Sequence, residues 1–400
     1  MVDMQGAPGA KALAARLVDG PAWVLGLMSG TSLDGVDVAL VQTDGEVIAA
    51  SGASAFVAYT EPETEALRRL MADPLAVRER RLPGAAALLE AAAREVDRLH
   101  AAAAAGLLAG VSPAEAPMLI GYPGQTAAHA PERQWTWQLG DGAAVARALN
   151  RPVVWDFRSE DIRAGGQGAP LAPVFHHAAM RHAGVAGPVA VLNIGGVANV
   201  TWVDPAIADP ATPGALAAFD TGPGNALLND WMAARTGKPY DAGGAAAATG
   251  AEARGMLARR LETNFVVDFL ARPGPKSLDR NAFNTLPALI SEASTEEGAA
   301  ALTGFTVDCV AAAARHLPRP PARWLVCGGG RLNLTMMRWL TSALEAPVDP
   351  IETVGLDGDM LEAQAFAYLA ARVVRGLPTS TPATTGCAAP VSGGRLAMAD

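Results

Sequence analysis

The stretch Gly26-Leu27-Met28-Ser29-Gly30-Thr31-Ser32-Leu33-Asp34-Gly35-Val36-Asp37 constrains the fold more than any other. An apolar strand, Trp23 to Met28, runs into a turn of glycines and hydroxyls. A second strand leaves it, with Val36, Val38 and Leu40 on one face and Asp37 and Ala39 on the other. A strand follows where a Rossmann fingerprint needs a helix, and no Lys follows the second glycine as in a Walker A loop. What remains is a strand–turn–strand whose backbone N–H groups can cradle phosphate. Gly30 and Gly35 permit close approach, Thr31 and Ser32 add hydroxyl donors, and Asp34 or Asp37 can hold a metal through water.

The theme returns in the second half, where Val189–Ile194 meets Gly195-Gly196 and Val197–Val203 departs. Two such units suggest an internally duplicated α/β chain with a ligand between its halves; the alternative is two unrelated hairpins, since glycine-punctuated hairpins are common. A length of 400 residues accommodates two or three domains. A formal charge of −9 argues against nucleic acid or an anionic membrane as the main partner, so a polyanionic ligand must find local cations, glycine N–H groups or a metal. No run of about eighteen apolar residues predicts a membrane helix. Cys309, Cys327 and Cys387 have no metal-binding spacing and read as reduced cytosolic thiols.

In chain order, 1–20 reads as a loose extension with at most a helix from Lys11 to Val18. Thr60 to Arg81 reads as helical. Ala85 to Leu108 is the clearest helix, with Leu89, Ala92, Val96 and Leu99 on one face. Short strands follow at Met118–Ile120 and Val153–Trp155, and then a glycine-rich loop, 164–170, of the kind that is usually functional. Phe219-Asp220-Thr221-Gly222-Pro223-Gly224-Asn225 reads as a turn with a carboxylate at its mouth. Trp324–Cys327 is a strand that empties into Gly328-Gly329-Gly330 and a helix, a suitable approach for a flat or charged ligand. Asp359 is the expected N-cap of a final helix, with Glu362 at its third position. Residues 377–400 read as a disordered tail.

Residues 26–37 resemble the signature of the anhydro-N-acetylmuramic acid kinases, of the superfamily of acetate and sugar kinases, Hsp70 and actin. Asp156-Phe157-Arg158 with Gly165–Pro173, Asn193–Asn199, Phe219–Asn225, Cys327–Gly330 with Asn333, and Glu362–Ala367 are similar to further family blocks in the same order, over roughly 22–376. The resemblance implies a two-domain actin-like, ribonuclease H-like sugar-kinase fold with ATP between the domains. It places the first domain at 21–155 plus 358–376 and the second at 156–357. It also implies opening of a 1,6-anhydro bridge by water, with phosphorylation of O6 by ATP and Mg²⁺, in a cytoplasmic homodimer.

Glycoside hydrolysis ordinarily uses two carboxyl groups. Here O6 is the leaving oxygen, and the γ-phosphoryl group captures it in place of a proton, so a single base suffices. Carried over, that base is Asp220, while Glu362 orients sugar or water. Residues Gly30 to Asp37 (Gly30, Thr31, Ser32, Leu33, Asp34, Gly35, Val36 and Asp37) fall to the phosphates and Mg²⁺. Gly195 and Gly196 take the opposite side, Gly328, Gly329 and Gly330 the nucleoside, and Gln125, Thr126 and Asn225 the substrate. No direct metal ligand is assigned. Arg158, Arg163, Lys276 and Arg280 are the cations expected near polyanionic substrates. Tyr122-Pro123 stands where the family usually has Ser-His. That departure leaves open a kinase for another anhydrosugar such as levoglucosan, and outside enzymes an actin-like nucleotide switch.

Overall fold

The computed structural model describes residues 8–30, 33–81, 83–130, 133, 135–278 and 280–399. Thr31 and Ser32 lie outside the described residues, as does the side chain of Arg280. The chain divides into two compact units, Met1–His182 with Met360–Asp400, and Ala183–Asp359.

The first unit contains β1 (Ala22–Met28), β2 (Gly35–Thr43), β3 (Ile48–Ala58), β4 (Leu119–Gly121), β5 (Gln125–Ala130), β6 (Trp135–Leu139) and β7 (Val153–Trp155). Its main sheet has the order β3–β2–β1–β4–β7, closed at the far edge by the C-terminal strand Arg395–Ala397. The first three strands are antiparallel, whereas β1, β4 and β7 run parallel. Strands β5 and β6 form a separate hairpin. One face buries Leu25, Leu27, Val36, Val38 and Leu40 in a core with Ala92 and Val96 of the helix Ala85–Leu108.

The other face carries the helix Leu361–Val374, and two glycines explain why it lies so close. Gly26 of β1 and Gly121 of β4 are register partners. A Cβ at Gly26 would sit 1.8 Å from Ala363 O, and one at Gly121 would sit 2.1 Å from Phe366 O. The bare backbone makes a platform for an alanine-rich helix. Arg372, near the end of this helix, donates from Nη1 to Gly45 O at 2.7 Å, beyond the end of β2 that pairs with the start of β1. The helix therefore runs antiparallel to β1, and its first turn lies at the carboxyl end of the parallel strands. Ala39, on the face of β2 opposite Val36, Val38 and Leu40, is fully buried because Met360 and Ala363 cover it.

The second unit repeats the plan. Strands β8 (Val189–Ile194), β9 (Val197–Val203), β10 (Leu216–Pro223), β11 (Arg323–Cys327) and β12 (Val348–Pro350) order as β10–β9–β8–β11–β12. Here β8, β9 and β10 are antiparallel, while β8, β11 and β12 are parallel. Strand order and direction match those of the first unit position by position. This is the ribonuclease H-like topology twice over, the two-domain actin-like and sugar-kinase fold.

Three local expectations are corrected. Residues 377–399 of the expected disordered tail at 377–400 are ordered: Thr379 N donates to Val391 O at 2.7 Å, Pro382–Thr385 is a helical turn, and Arg395 pairs with Trp155 in the sheet edge. The side chains of Thr379, Ser380, Thr384 and Thr385 bury as hydrogen-bond donors, so a polar composition does not mean solvation here. Residues 156–182 belong with the first unit because Phe157 packs 5.2 Å from Phe366 and Phe175 packs 5.9 Å from Tyr368, measured between ring centroids. Asp359 is no N-cap: Met360 occupies that position, and the Asp359 carboxylate takes both Nη atoms of Arg331 at 2.8 and 2.7 Å.

Candidate active site

In the first unit the candidate residues gather at the carboxyl ends of β1, β4 and β7, where ligands of open α/β sheets bind. The turn after β1 is held from several sides. Gln125 Nε2 donates to Gly30 O at 3.2 Å, Tyr59 Oη donates to Ser29 Oγ at 3.1 Å, and Tyr59 N donates to Asp34 O at 2.9 Å. Leu33 adopts a positive φ of 58° and is buried, which turns Asp34 out to solvent. Val36 is buried in the core below, so its part in a phosphate site is limited to its backbone. Burial of Tyr59 pushes its phenol up to about 12, so it stays a donor at any physiological pH.

Gln125 is fully buried, and its Oε1 has no partner among the described residues; the same holds for His129 Nε2 on the same strand. Buried polar atoms are normally satisfied, so these two suit a hydroxyl-rich ligand. Thr126 Oγ1 accepts from Gln138 Nε2 at 3.4 Å across the hairpin. Arg158 donates from Nη1 to Gly168 O at 2.7 Å, which ties it to the glycine-rich loop. Its charge lies close enough to Glu362 to pull that carboxyl down, against desolvation, which pushes it up and prevails. Burial also makes His129 a poor base, its imidazole pushed down to about 4.

The loop itself is knotted to the C-terminal segment by Asp161. This buried carboxylate accepts from Gly168 N at 2.6 Å, from Thr385 Oγ1 at 2.6 Å and from Ser380 Oγ. Sequence reasoning missed Asp161, since one Asp in a charged helical turn carries no signal of its own. Arg163 pairs with Glu160 on the surface and is not brought to these residues. Tyr122, the departure from the family pattern, points into the core. Its Oη donates to Asp97 Oδ1 at 2.7 Å, and its ring lies 5.1 Å from that of His100.

In the second unit the candidates again sit at the carboxyl ends. Asp220 faces Asn199 across β9, which in turn faces Asn193 on β8. The segment Phe219–Pro223 is strand rather than turn. A register shift between Asp220 and Gly222 inserts Thr221 as a bulge, and Thr221 Oγ1 donates to Ala198 O at 3.2 Å. Bulges re-aim side chains beside active sites, and the alternating pattern cannot reveal one in advance. The Asp220 carboxylate is 7% exposed and accepts from Leu278 N at 2.6 Å and from the Ser277 hydroxyl. Burial pushes it up to about 7 against the pull of those donors and of Lys276.

The chain after β10 folds back on the Gly195-Gly196 turn. Asn225 N donates to Gly195 O at 2.7 Å, Gly224 N to Gly196 O at 3.0 Å, and Asn225 Nδ2 to Ile194 O at 3.0 Å. The glycines here divide by cause. A Cβ at Gly224 or Gly328 would lie 2.2 Å from Gly195 O or 2.4 Å from Asn193 Oδ1, so packing alone requires glycine there. At Gly195, Gly196 and Gly329 nothing lies within 3.4 Å of an added Cβ. The space a side chain would take at these three positions is left open to a ligand, although the Gly195 and Gly196 carbonyls already accept from Asn225 N and Gly224 N. Gly330 carries a third constraint, packing against Ile194. Arg331 locks the triglycine segment by donating to Gly328 O, Glu352 and Asp359. Lys276 is buried rather than displayed to a polyanion, its Nζ donating to Phe269 O and Arg272 O.

Residues 22–399 match the family described as anhydro-N-acetylmuramic acid kinase. The chain belongs to that family. The anhydro-N-acetylmuramic acid kinase of Ruegeria sp. (strain TM1040) is 49% identical over 95% of this chain and 96% of its own length. That of Cereibacter sphaeroides is 51% identical over 95% and 97%. Among solved structures, a ROK family glucokinase from Streptomyces griseus in complex with glucose and AMPPNP is similar at a TM-score of 0.37 and 15% identity, covering 87% of this chain and 99% of that one. That likeness is too distant to add to the topology. The family contains kinases, and the relatives' names leave the levoglucosan and nucleotide-switch readings without support.

Proposed function

We propose that this chain opens the 1,6-anhydro ring of anhydro-N-acetylmuramic acid with water and phosphorylates O6 from ATP, giving N-acetylmuramic acid 6-phosphate. The observation that carries the reading is Asp220, a buried carboxylate held by two donors and pushed up by burial to about 7. A general base works best with its pKa near the operating pH. Asp220 takes a proton from water as the water oxygen bonds to C1. The C1–O6 bond breaks, O6 bonds to the γ-phosphorus, and ADP leaves. The developing O6 anion is taken by phosphorus, so no second carboxylic acid is needed.

Glu362, with Arg158 beside it, orients the sugar, and Gln125 Oε1 accepts from a sugar hydroxyl. Thr126 and Asn225 line the substrate as well. The backbone of Gly30 and of the segment Leu33 to Asp37 serves the phosphates, joined by Gly195 and Gly196, while Gly328–Gly330 serve the nucleoside. Among the described residues no group of three or more His, Cys, Asp or Glu is built as a metal cage. Two carboxylates flank the phosphate turn at Asp34 and Asp37, a donor set that fits Mg²⁺, which is commonly held by one or two carboxylates plus substrate phosphates. Asp34 and Asp37 would hold it, and its contribution is neutralisation of charge on the transferring phosphoryl group. No described helix is long and apolar enough to cross a membrane, and we place the enzyme in the cytoplasm as a homodimer without a nucleic-acid partner. The test is ADP release with Mg-ATP and a panel of sugars. Turnover should need the anhydro bridge; equal rates on N-acetylmuramic acid would refute ring opening, and a preference for levoglucosan would refute the named sugar.

A further inference from the structure

Three consecutive residues, Lys276, Ser277 and Leu278, each touch Asp220. The Asp220 N–H donates to Lys276 O at 2.9 Å, the Leu278 N–H donates to Asp220 Oδ2 at 2.6 Å, and the Ser277 hydroxyl donates to the same carboxylate. Asp220 is thus gripped through both its backbone and its side chain by a strap 56 to 58 positions away in sequence. The strap has no regular structure to hold it. Its anchor is the Lys276 side chain, 5% exposed, which turns back to the end of the helix Asn264–Ala271. There Nζ donates to Phe269 O at 2.9 Å and to Arg272 O at 2.8 Å, and lies 4.3 Å from the centre of the Phe269 ring. Cations are favoured at helix C-termini, where carbonyls lack partners.

We infer that Ser277 is a positioning residue for Asp220, and that Lys276 is the buried tether that keeps Ser277 and the Leu278 N–H on the carboxylate. The inference rests on Asp220 acting as the base. An ionised carboxylate has about four acceptor sites. The strap's two donors occupy part of that capacity and fix the plane of the group, leaving the remainder for one water. A carboxylate in so dry a place would otherwise be neutral well above pH 7. The donors stabilise its charged form, and the Lys276 ammonium adds to this at longer range. The groups facing Lys276 are Arg272, whose charge pushes the amine down, and Asp220 and Cys309, which oppose it; burial dominates and brings the amine to about 8.

The test compares full-length wild type, Ser277→Ala, Ser277→Thr, Lys276→Met and Asp220→Asn with Mg-ATP and 1,6-anhydro-N-acetylmuramic acid across pH. A hydrogen bond to a charged group is worth roughly a tenfold factor or more. Ser277→Ala should therefore move the acid limb of kcat/KM upward by about one pH unit and lower kcat/KM at pH 7 about fivefold, and about tenfold at pH 6 and below. The KM for ATP should stay unchanged. Ser277→Thr should return the limb towards wild type. Lys276→Met removes the tether and a positive charge, so its limb should also move up, which keeps the test alive if Ser277→Ala fails to fold. Limbs unmoved in Ser277→Ala and Lys276→Met, with Asp220→Asn inactive, would overturn the strap alone. Full turnover by Asp220→Asn would overturn the base and the strap together.

Discussion

Substituting alanine at Gly26 and at Gly106 makes the same chemical change with opposite expected signs. At Gly26 the new Cβ lies 1.8 Å from Ala363 O and 2.6 Å from Ala367 N. Both obstacles are backbone, so no side chain can rotate away. The helix Leu361–Val374 must retreat by about 1.6 Å, from 1.8 Å to about 3.4 Å, before the contact becomes ordinary, which opens gaps along the interface of Ala363 and Ala367 with β1. Overpacking typically costs about 1–3 kcal/mol, and a backbone clash on both sides belongs at the upper end. Gly106 lies inside the helix Ala85–Leu108, exposed, with nothing within 4 Å of an added Cβ. Alanine there should stabilise by about 0.5–1 kcal/mol, the cost of glycine's freedom in a helix. Urea unfolding of the two variants against wild type, at constant m, gives both differences. Gly26→Ala should also slow turnover, because the displaced helix carries Glu362. A neutral Gly26→Ala, or equal shifts at both positions, would refute the platform.

Tyr122→Phe should cost about 1–3 kcal/mol, since it strips a donor from the half-buried Asp97 carboxylate, yet leave KM and kcat unaltered; a large change in KM for the sugar would show that Tyr122 does face substrate. Deleting 378–400 removes the Ser380 and Thr385 hydroxyls from buried Asp161 and a strand from the sheet edge, so the chemical midpoint should fall by the equivalent of about 3 kcal/mol or more. Burial holds His100 and His176 near 4 in the folded state. Between that value and the unfolded 6.5 the unfolded chain binds more protons, so stability from these residues is present above pH 6.5 and falls as pH drops towards 4. Asp220 has the opposite sign: its raised folded-state value makes its burial cost stability as pH rises from 3.8 through about 7, so Asp220→Asn should raise Tm at pH 8 and not at pH 4.

Both strand–turn–strand units and the helix Ala85–Leu108 are legible in the sequence, because period and glycine placement are local properties. Asp220 is legible as a candidate site residue through its family block, but its geometry is not: the bulge at Thr221 breaks the alternation, and the strap at 276–278 is remote in sequence. Gly26 and Gly121 look like ordinary strand glycines until their neighbours on the helix Leu361–Val374 are known. The C-terminal segment misleads for a related reason. Its Ser, Thr and Gly residues resemble a solvated tail, yet Ser380 and Thr385 are fully buried donors to Asp161, a partner some 220 positions earlier. Long-range polar pairing leaves no periodic trace.

The central claim is that one water attacks the anomeric carbon while O6 takes the phosphoryl group. Turnover in ¹⁸O-water, quenched early and read by mass spectrometry, tests this directly. The account predicts one ¹⁸O on the anomeric carbon of the sugar phosphate and none in the transferred phosphoryl group, with both label and product lost in Asp220→Asn. Label in the phosphoryl group, or ADP release at full rate without labelled sugar, would contradict it.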